Sequence, residues 1–173
     1  REKDTRLVGL IVVRKDSPIQ NVRQLEGKTL ALPAPESFAA SVLPQAELES
    51  MGVHVNVSYV GSHDSVYLAV RQGLYSAGGG INRTWSQQPD AVRNALRILW
   101  QTPPHTPHPF ATRPGLPSTQ RQCLLRTLTH LQDTPEGLAL LQQVQLKPLT
   151  AARDEDWDDI RRLGIHYQAP GEQ

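Results

Sequence analysis

The sequence predicts an α/β fold whose main lobe has three layers, a mainly parallel sheet with helices on both faces. Three observations lead there. Short apolar runs alternate with stretches of helical periodicity, the pattern that right-handed crossover units leave in a chain. The first run, Leu7 to Val13, is apolar throughout, which marks a central strand buried on both faces. Glycine and proline fall between the runs, where strands and helices must end.

The first strand stops at the polar turn Arg14-Lys15-Asp16-Ser17-Pro18. A helical turn over Asn21 to Leu25 leads past Gly27 into Thr29–Leu32, a short strand closed by Pro33 and Pro35. Ser37 stands as the N-cap of a helix whose Val42, Leu43, Ala46 and Leu48 precede a stop at Met51-Gly52. His54 to Val60 is the next strand. Gly61-Ser62 then opens a helix with Val66, Leu68, Ala69 and Val70 facing inward as far as Gly73. Tyr75 to Gly79 gives a weak glycine-rich strand, and Leu96 to Trp100 the last of the lobe.

Pro103, Pro104, Pro107 and Pro109 hold the following segment extended, as a crossing between lobes. Beyond it, Phe110 to Arg113 is a short strand candidate. Pro117 to Leu131 is a helix with Leu124, Leu128 and Leu131 on one stripe. Thr134 and Pro135 begin another, as cap and first helical residue. A last helix runs from Asp154 to Leu163, acidic at its start and closed by Arg161-Arg162, as the macrodipole favours. The chain thus divides into a strand arriving from another lobe (1–17), a ligand-binding lobe (18–101), and a return crossing with C-terminal helices (102–173).

Eighteen basic against 17 acidic residues leave a net charge of +1, with no long run of either sign. Nucleic acid is therefore not an expected partner, and a charged ligand must be recognised locally. The single cysteine, Cys123, lies in an apolar helical pattern and reads as a buried core thiol, with no second cysteine for a disulfide or zinc site. No apolar run approaches the ~20 residues that span a bilayer.

Chemistry concentrates at helix starts. In Gly61-Ser62-His63-Asp64 a strand delivers a glycine and a hydroxyl to a first turn whose N–H groups lack partners, so an oxyanion could dock there. The plainer reading is that Ser62 only caps the helix. The start at Ser37-Phe38-Ala39-Ala40 repeats the arrangement, and two such starts on neighbouring parallel strands converge at the ligand crevice of an open α/β sheet. His63 either donates to an anion or bonds a neighbouring carbonyl. Trp85, just beyond the glycine-rich strand, is placed to line a cleft.

Other chemistries find less support. His105 and His108 lack the companions of a metal site, and Ser62, His63 and Asp64 are adjacent where a triad needs separated members, so neither metal, cofactor nor catalysis is expected. Gly78-Gly79-Gly80 has neither P-loop nor dinucleotide spacing and reads as close backbone packing.

The ordered segments Gly9-Leu-Ile-Val-Val-Arg-Lys-Asp-Ser-Pro-Ile, Gln24-Leu-Glu-Gly-Lys-Thr-Leu-Ala, Gly61-Ser-His-Asp-Ser-Val, Thr102-Pro-Pro-His-Thr-Pro-His-Pro-Phe and Asp133-Thr-Pro-Glu-Gly resemble the substrate-binding proteins of phosphate, phosphite and phosphonate ABC importers. The resemblance implies a type II periplasmic-binding-protein-like fold outside the cytoplasm, in which hinge strands and C-terminal helices belong to an incomplete second lobe. It implies no enzymatic activity, and a small oxyanion held at Ser37, Ser62, His63 and Asp64, with Phe38 beside Ser37 and the cleft-lining Trp85 as the further ligand-binding candidates. Its partner would be an ABC membrane component, or histidine-kinase modules where such a domain serves as a sensor.

Two departures bear on the ligand. Hydroxyl and glycine positions after Ser37 are apolar or alanine here, and Ser76 replaces an acidic residue, which argues against phosphonate itself. The family also carries most of its first lobe ahead of Leu7, so a fragment is expected, with a domain-swapped homodimer as one way to cover the C-terminal helices. The alternative reading is a protein-interaction module with a vestigial cleft.

Overall fold

The computed structural model describes residues 6–144 and 146–165. They fall into two compact units, one built on Leu7–His105 and one on Thr106–Asp159.

The Leu7–His105 unit is organised by a five-stranded sheet of order β3-β2-β4-β1-β5, comprising β1 (Gly9–Arg14), β2 (Thr29–Leu32), β3 (Asn56–Tyr59), β4 (Ala77–Ile81) and β5 (Leu96–Gln101). β2 pairs in parallel with β3 and β4, whereas β1 is antiparallel to both β4 and β5. The sheet is therefore mixed: four strands share one direction and β1 opposes them. A run buried on both faces does not encode direction, so the expected parallel bias could not identify β1 as the exception. Its interior position follows the sequence, since Leu10 to Val13 are fully buried.

Alternation along the strands builds a core on each face. Ile11, Val13, Leu30 and Leu32 join Leu25, Leu48 and Val53 on one side. Val12 and Ala31 join Val66, Tyr67, Val70 and Leu96 on the other. Each fully buried aliphatic side chain contributes about 1.5–3 kcal/mol of apolar burial.

The helix after β2 starts in an unexpected way. Residues Phe38–Val42 form a π turn before α1 (Leu43–Ser50). Pro44 has no N–H, so Ala40 cannot receive the usual α-helical bond, and Leu43 N–H reaches back to the Phe38 carbonyl instead. The widened turn pushes the Ala39 and Ala40 carbonyls towards the sheet, where a Cβ on Gly9 or Gly79 would meet them at 2.3 and 2.2 Å.

On the opposite face α2 (His63–Arg71) presses on β4, and a Cβ on Gly78 would meet Val66 at 2.5 Å. Gly78-Gly79-Gly80 is thus the close-packing element expected of it, serving both faces. Within α2 one expectation changes: Leu68 is exposed and Tyr67 is fully buried in its place. Two short helices, α3 (Asn82–Ser86) and α4 (Asp90–Arg93), join β4 to β5.

The Thr106–Asp159 unit holds α5 (Ser118–His130), a 3₁₀ turn Leu131–Asp133, α6 (Pro135–Gln143), a second 3₁₀ turn Asp154–Trp157 and the beginning of α7 (Asp158–Arg161). Thr134 caps α6 as expected, its Oγ1 accepting from Gly137 N–H at 3.1 Å. Trp157 Nε1 donates to the Pro107 carbonyl at 2.8 Å, and Thr106 N–H donates to Asp159 Oδ2 at 2.8 Å.

Three expectations fail in this unit. Phe110 to Arg113 is exposed coil, because no strand lies alongside among the described residues. α5 buries none of its residues, leaving Leu124 and Leu128 exposed. Cys123 is exposed with them. Periodicity gave the helix its apolar stripe but not a surface to bury it.

Candidate functional site

β2, β3 and β4 end at one edge of the sheet, and each feeds a helix start there. The turns after β2 and β3 adjoin, since Gly61 N–H donates to the Pro33 carbonyl and Val60 N–H to that of Leu32, both at 2.9 Å. Gly61, at φ 86°, takes the left-handed conformation that turns the chain from strand into helix.

Ser62 is the extended N-cap of α2. Its Oγ accepts from Ser65 N–H at 3.1 Å and donates to Ser65 Oγ at 2.9 Å. The capping reading is therefore realised. The N–H groups of His63 and Asp64 have no acceptor inside the helix by its geometry, and they share the edge with the positive end of its dipole. His63 is half-buried, and its Nδ1 is buried without a hydrogen-bond partner among the described residues. Burial pushes the His63 pKa down, opposed in part by the charge of Asp64.

The second helix start behaves differently. Ser37 is half-buried and extended, but its hydroxyl caps nothing, and its carbonyl takes Ser41 N–H at 2.7 Å and Val42 N–H at 3.2 Å. This corrects the expected Ser37 cap: the Ser37 side chain makes no capping bond to the π turn that follows it. Phe38, also half-buried, opens that turn.

Asp64 and Trp85 face a neighbour. Gln88 Nε2 donates to Asp64 Oδ1 at 2.7 Å and to the Thr84 carbonyl at 3.1 Å. Thr84 Oγ1 donates to the Ile81 carbonyl, so it accepts from the Tyr67 hydroxyl at 2.9 Å. Trp85 meets Tyr67 edge-on, with ring centroids 5.7 Å apart, and packs against the core. Burial raises the Tyr67 pKa, which keeps the phenol protonated.

Tyr67, Thr84 and Gln88 were not anticipated. For Tyr67 a signal existed, because residues 63, 67 and 70 share a helix face; for Gln88 there was none. His105, one of the two histidines on the proline-rich crossing, has its Nε2 2.9 Å from Glu47 Oε1 on α1. No group of three or more potential metal ligands occurs among the described residues.

The chemistry available at this edge is recognition of an acceptor-rich group by N–H donors and an imidazole. Residues 1–157 match the family described as ABC transporter, phosphonate, periplasmic substrate-binding protein. No curated protein matches the chain. Among solved structures, XAC2383 from Xanthomonas citri bound to ATP is similar at TM-score 0.80 and 24% identity, over 92% of this chain and 65% of that one.

A binding protein component of an ABC phosphonate transporter from Pseudomonas aeruginosa gives TM-score 0.68 and 20% identity, over 92% of this chain and 57% of the other. PhnD1 from Prochlorococcus marinus in complex with methylphosphonate gives 0.68 and 18%, over 95% and 68%. At these identities the likeness is one of fold, a type II periplasmic-binding-protein-like arrangement. The chain spans less than two thirds of the length of the Xanthomonas protein.

Proposed function

The chain belongs to the family of periplasmic substrate-binding proteins of phosphonate ABC transporters, whose members are solute-binding proteins and not enzymes, and on that premise we propose that it binds a small oxyanion outside the cytoplasm. The ligand class is phosphonate-like, phosphate-like or a sulfur oxyanion. The observation that carries this reading is His63: a half-buried imidazole whose buried Nδ1 has no partner among the described residues, at a helix start whose first N–H groups have no acceptor inside the helix.

His63, the first-turn N–H groups and Ser62, once its O–H turns from Ser65 Oγ to the anion, are the donors in this reading, with Ser37 and Phe38 on the adjoining turn. Asp64 and Trp85 act from the side, through the contacts that fix α2 against α3. Protonated His63 would donate to the anion. Anion binding then raises its pKa and draws in a proton, and by linkage affinity rises as pH falls from neutrality. Downstream, the partner is an ABC membrane component or a histidine-kinase module. No helix among the described residues is long and apolar enough to cross a membrane.

Calorimetric titration of the chain with methylphosphonate, phosphate, sulfate and methanesulfonate tests the proposal. Micromolar or tighter binding of one class supports it, and silence across the panel overturns it. A second reading, a protein-docking module with a vestigial cleft, draws on the exposed Leu124, Leu125, Leu128, Leu138 and Leu140. Under that reading the double variant Ser62→Ala, His63→Ala keeps full function.

A further inference from the structure

We propose that Gln88 is a positioning residue of this site, holding the Asp64 carboxylate aside so that the first turn of α2 stays open to an anion. The inference rests on the oxyanion reading above and goes beyond it by assigning a role to a residue that touches no ligand.

Gln88 is 8% exposed, so its amide is almost dry. Its Nε2 donates to Asp64 Oδ1 at 2.7 Å and to the Thr84 carbonyl at 3.1 Å, which engages both N–H groups. Thr84 is itself fixed by the Ile81 carbonyl and the Tyr67 hydroxyl. α2 is therefore fastened to the α3 segment twice, at its first turn by Asp64 with Gln88 and one turn further on by Tyr67 with Thr84.

The position of Asp64 gives this fastening its consequence. It is the second residue after the Ser62 cap, where a carboxylate is attracted to the unclaimed N–H groups of its own first turn. Released from Gln88, it would compete for the donors that an oxyanion needs and set a negative charge beside it. Held by Gln88, it leaves those donors available.

The test compares wild type, Q88M and Q88E in the intact chain, with methylphosphonate, phosphate, sulfate and methanesulfonate each titrated calorimetrically across pH and the His63 ring followed by NMR. Removing a hydrogen bond to a charged group predicts about a tenfold loss of affinity for Q88M at every pH. Q88E loses at least as much at neutral pH. It recovers towards wild type, compared at the same pH, once acid protonates the introduced carboxyl and restores a donor to Asp64.

Unchanged affinity in both variants, or a Q88E loss that acid does not reverse, overturns the proposal. Recovery of Q88E also shows that its fold is intact. If wild type binds none of methylphosphonate, phosphate, sulfate and methanesulfonate, the oxyanion reading is what fails, and the His63 ring still decides the role of Gln88: its titration midpoint moves in Q88M if Gln88 positions the turn, and an unmoved midpoint overturns it.

Discussion

The hydroxyl of Tyr67 lies 2.1 Å from the place a Cβ on Gly80 would occupy. The glycine lets a full aromatic ring pass over β4 and bond Thr84 on the far side. Gly80→Ala is therefore expected to displace the ring, break the Tyr67 to Thr84 bond and cost about 2–3 kcal/mol by overpacking. Gly27→Ala differs in cause: nothing lies within 4 Å, but φ is +70°, so the cost is about 1 kcal/mol of backbone strain. Urea denaturation of both variants checks the order.

Glu47 and His105 form a second long-range pair, 2.9 Å apart, with side chains 13% and 8% exposed. Replacing Glu47 by leucine leaves an almost dry imidazole without that acceptor. The expected loss is on the order of 2–3 kcal/mol, between the values for exposed and fully buried pairs. Glu47→Gln, which retains an acceptor, should lose less in the same denaturation experiment.

Ser62 serves two roles that substitution can separate. Ser62→Ala removes the cap and should cost about 1 kcal/mol, whereas Ser62→Gly costs only a few tenths. If the hydroxyl also bonds the ligand, both variants lose affinity by a similar factor of about ten although only one is destabilised. Melting curves beside calorimetric titrations separate the two effects.

The lowered pKa of His63 gives stability a definite pH dependence. A depressed folded-state value means that the unfolded chain binds the proton more tightly. The contribution is fully present above the unfolded value of about 6.5 and is lost as pH falls through the folded value. His63→Gln should flatten that part of the stability profile, and an unchanged slope between pH 7 and 5 would count against burial as the cause.

Much of the fold is legible in local pattern. Thr29–Leu32 occupies the span expected of it, Thr134 and Ser62 cap the helices they precede, and the glycine triplet marks close packing. Each depends on the conformational preferences of a few adjacent residues. The best-matched motif, Gly61 to Asp64, was likewise visible as a strand-to-helix turn, although the hydrogen bonds of Ser62 and Asp64 were not.

The sequence by itself determined where several of the strands and helices begin, which positions carry hydroxyl and imidazole groups, and that strong net charge takes no part. Tertiary structure alone decided that β1 opposes its neighbours, that Tyr67 rather than Leu68 enters the core, and that Gln88 meets Asp64 24 residues away. It also left α5 without a buried face. The reason is physical: hydrophobic periodicity and capping report the backbone state of a segment, whereas strand direction, burial of a stripe and pairing of polar groups depend on which distant surface arrives opposite it.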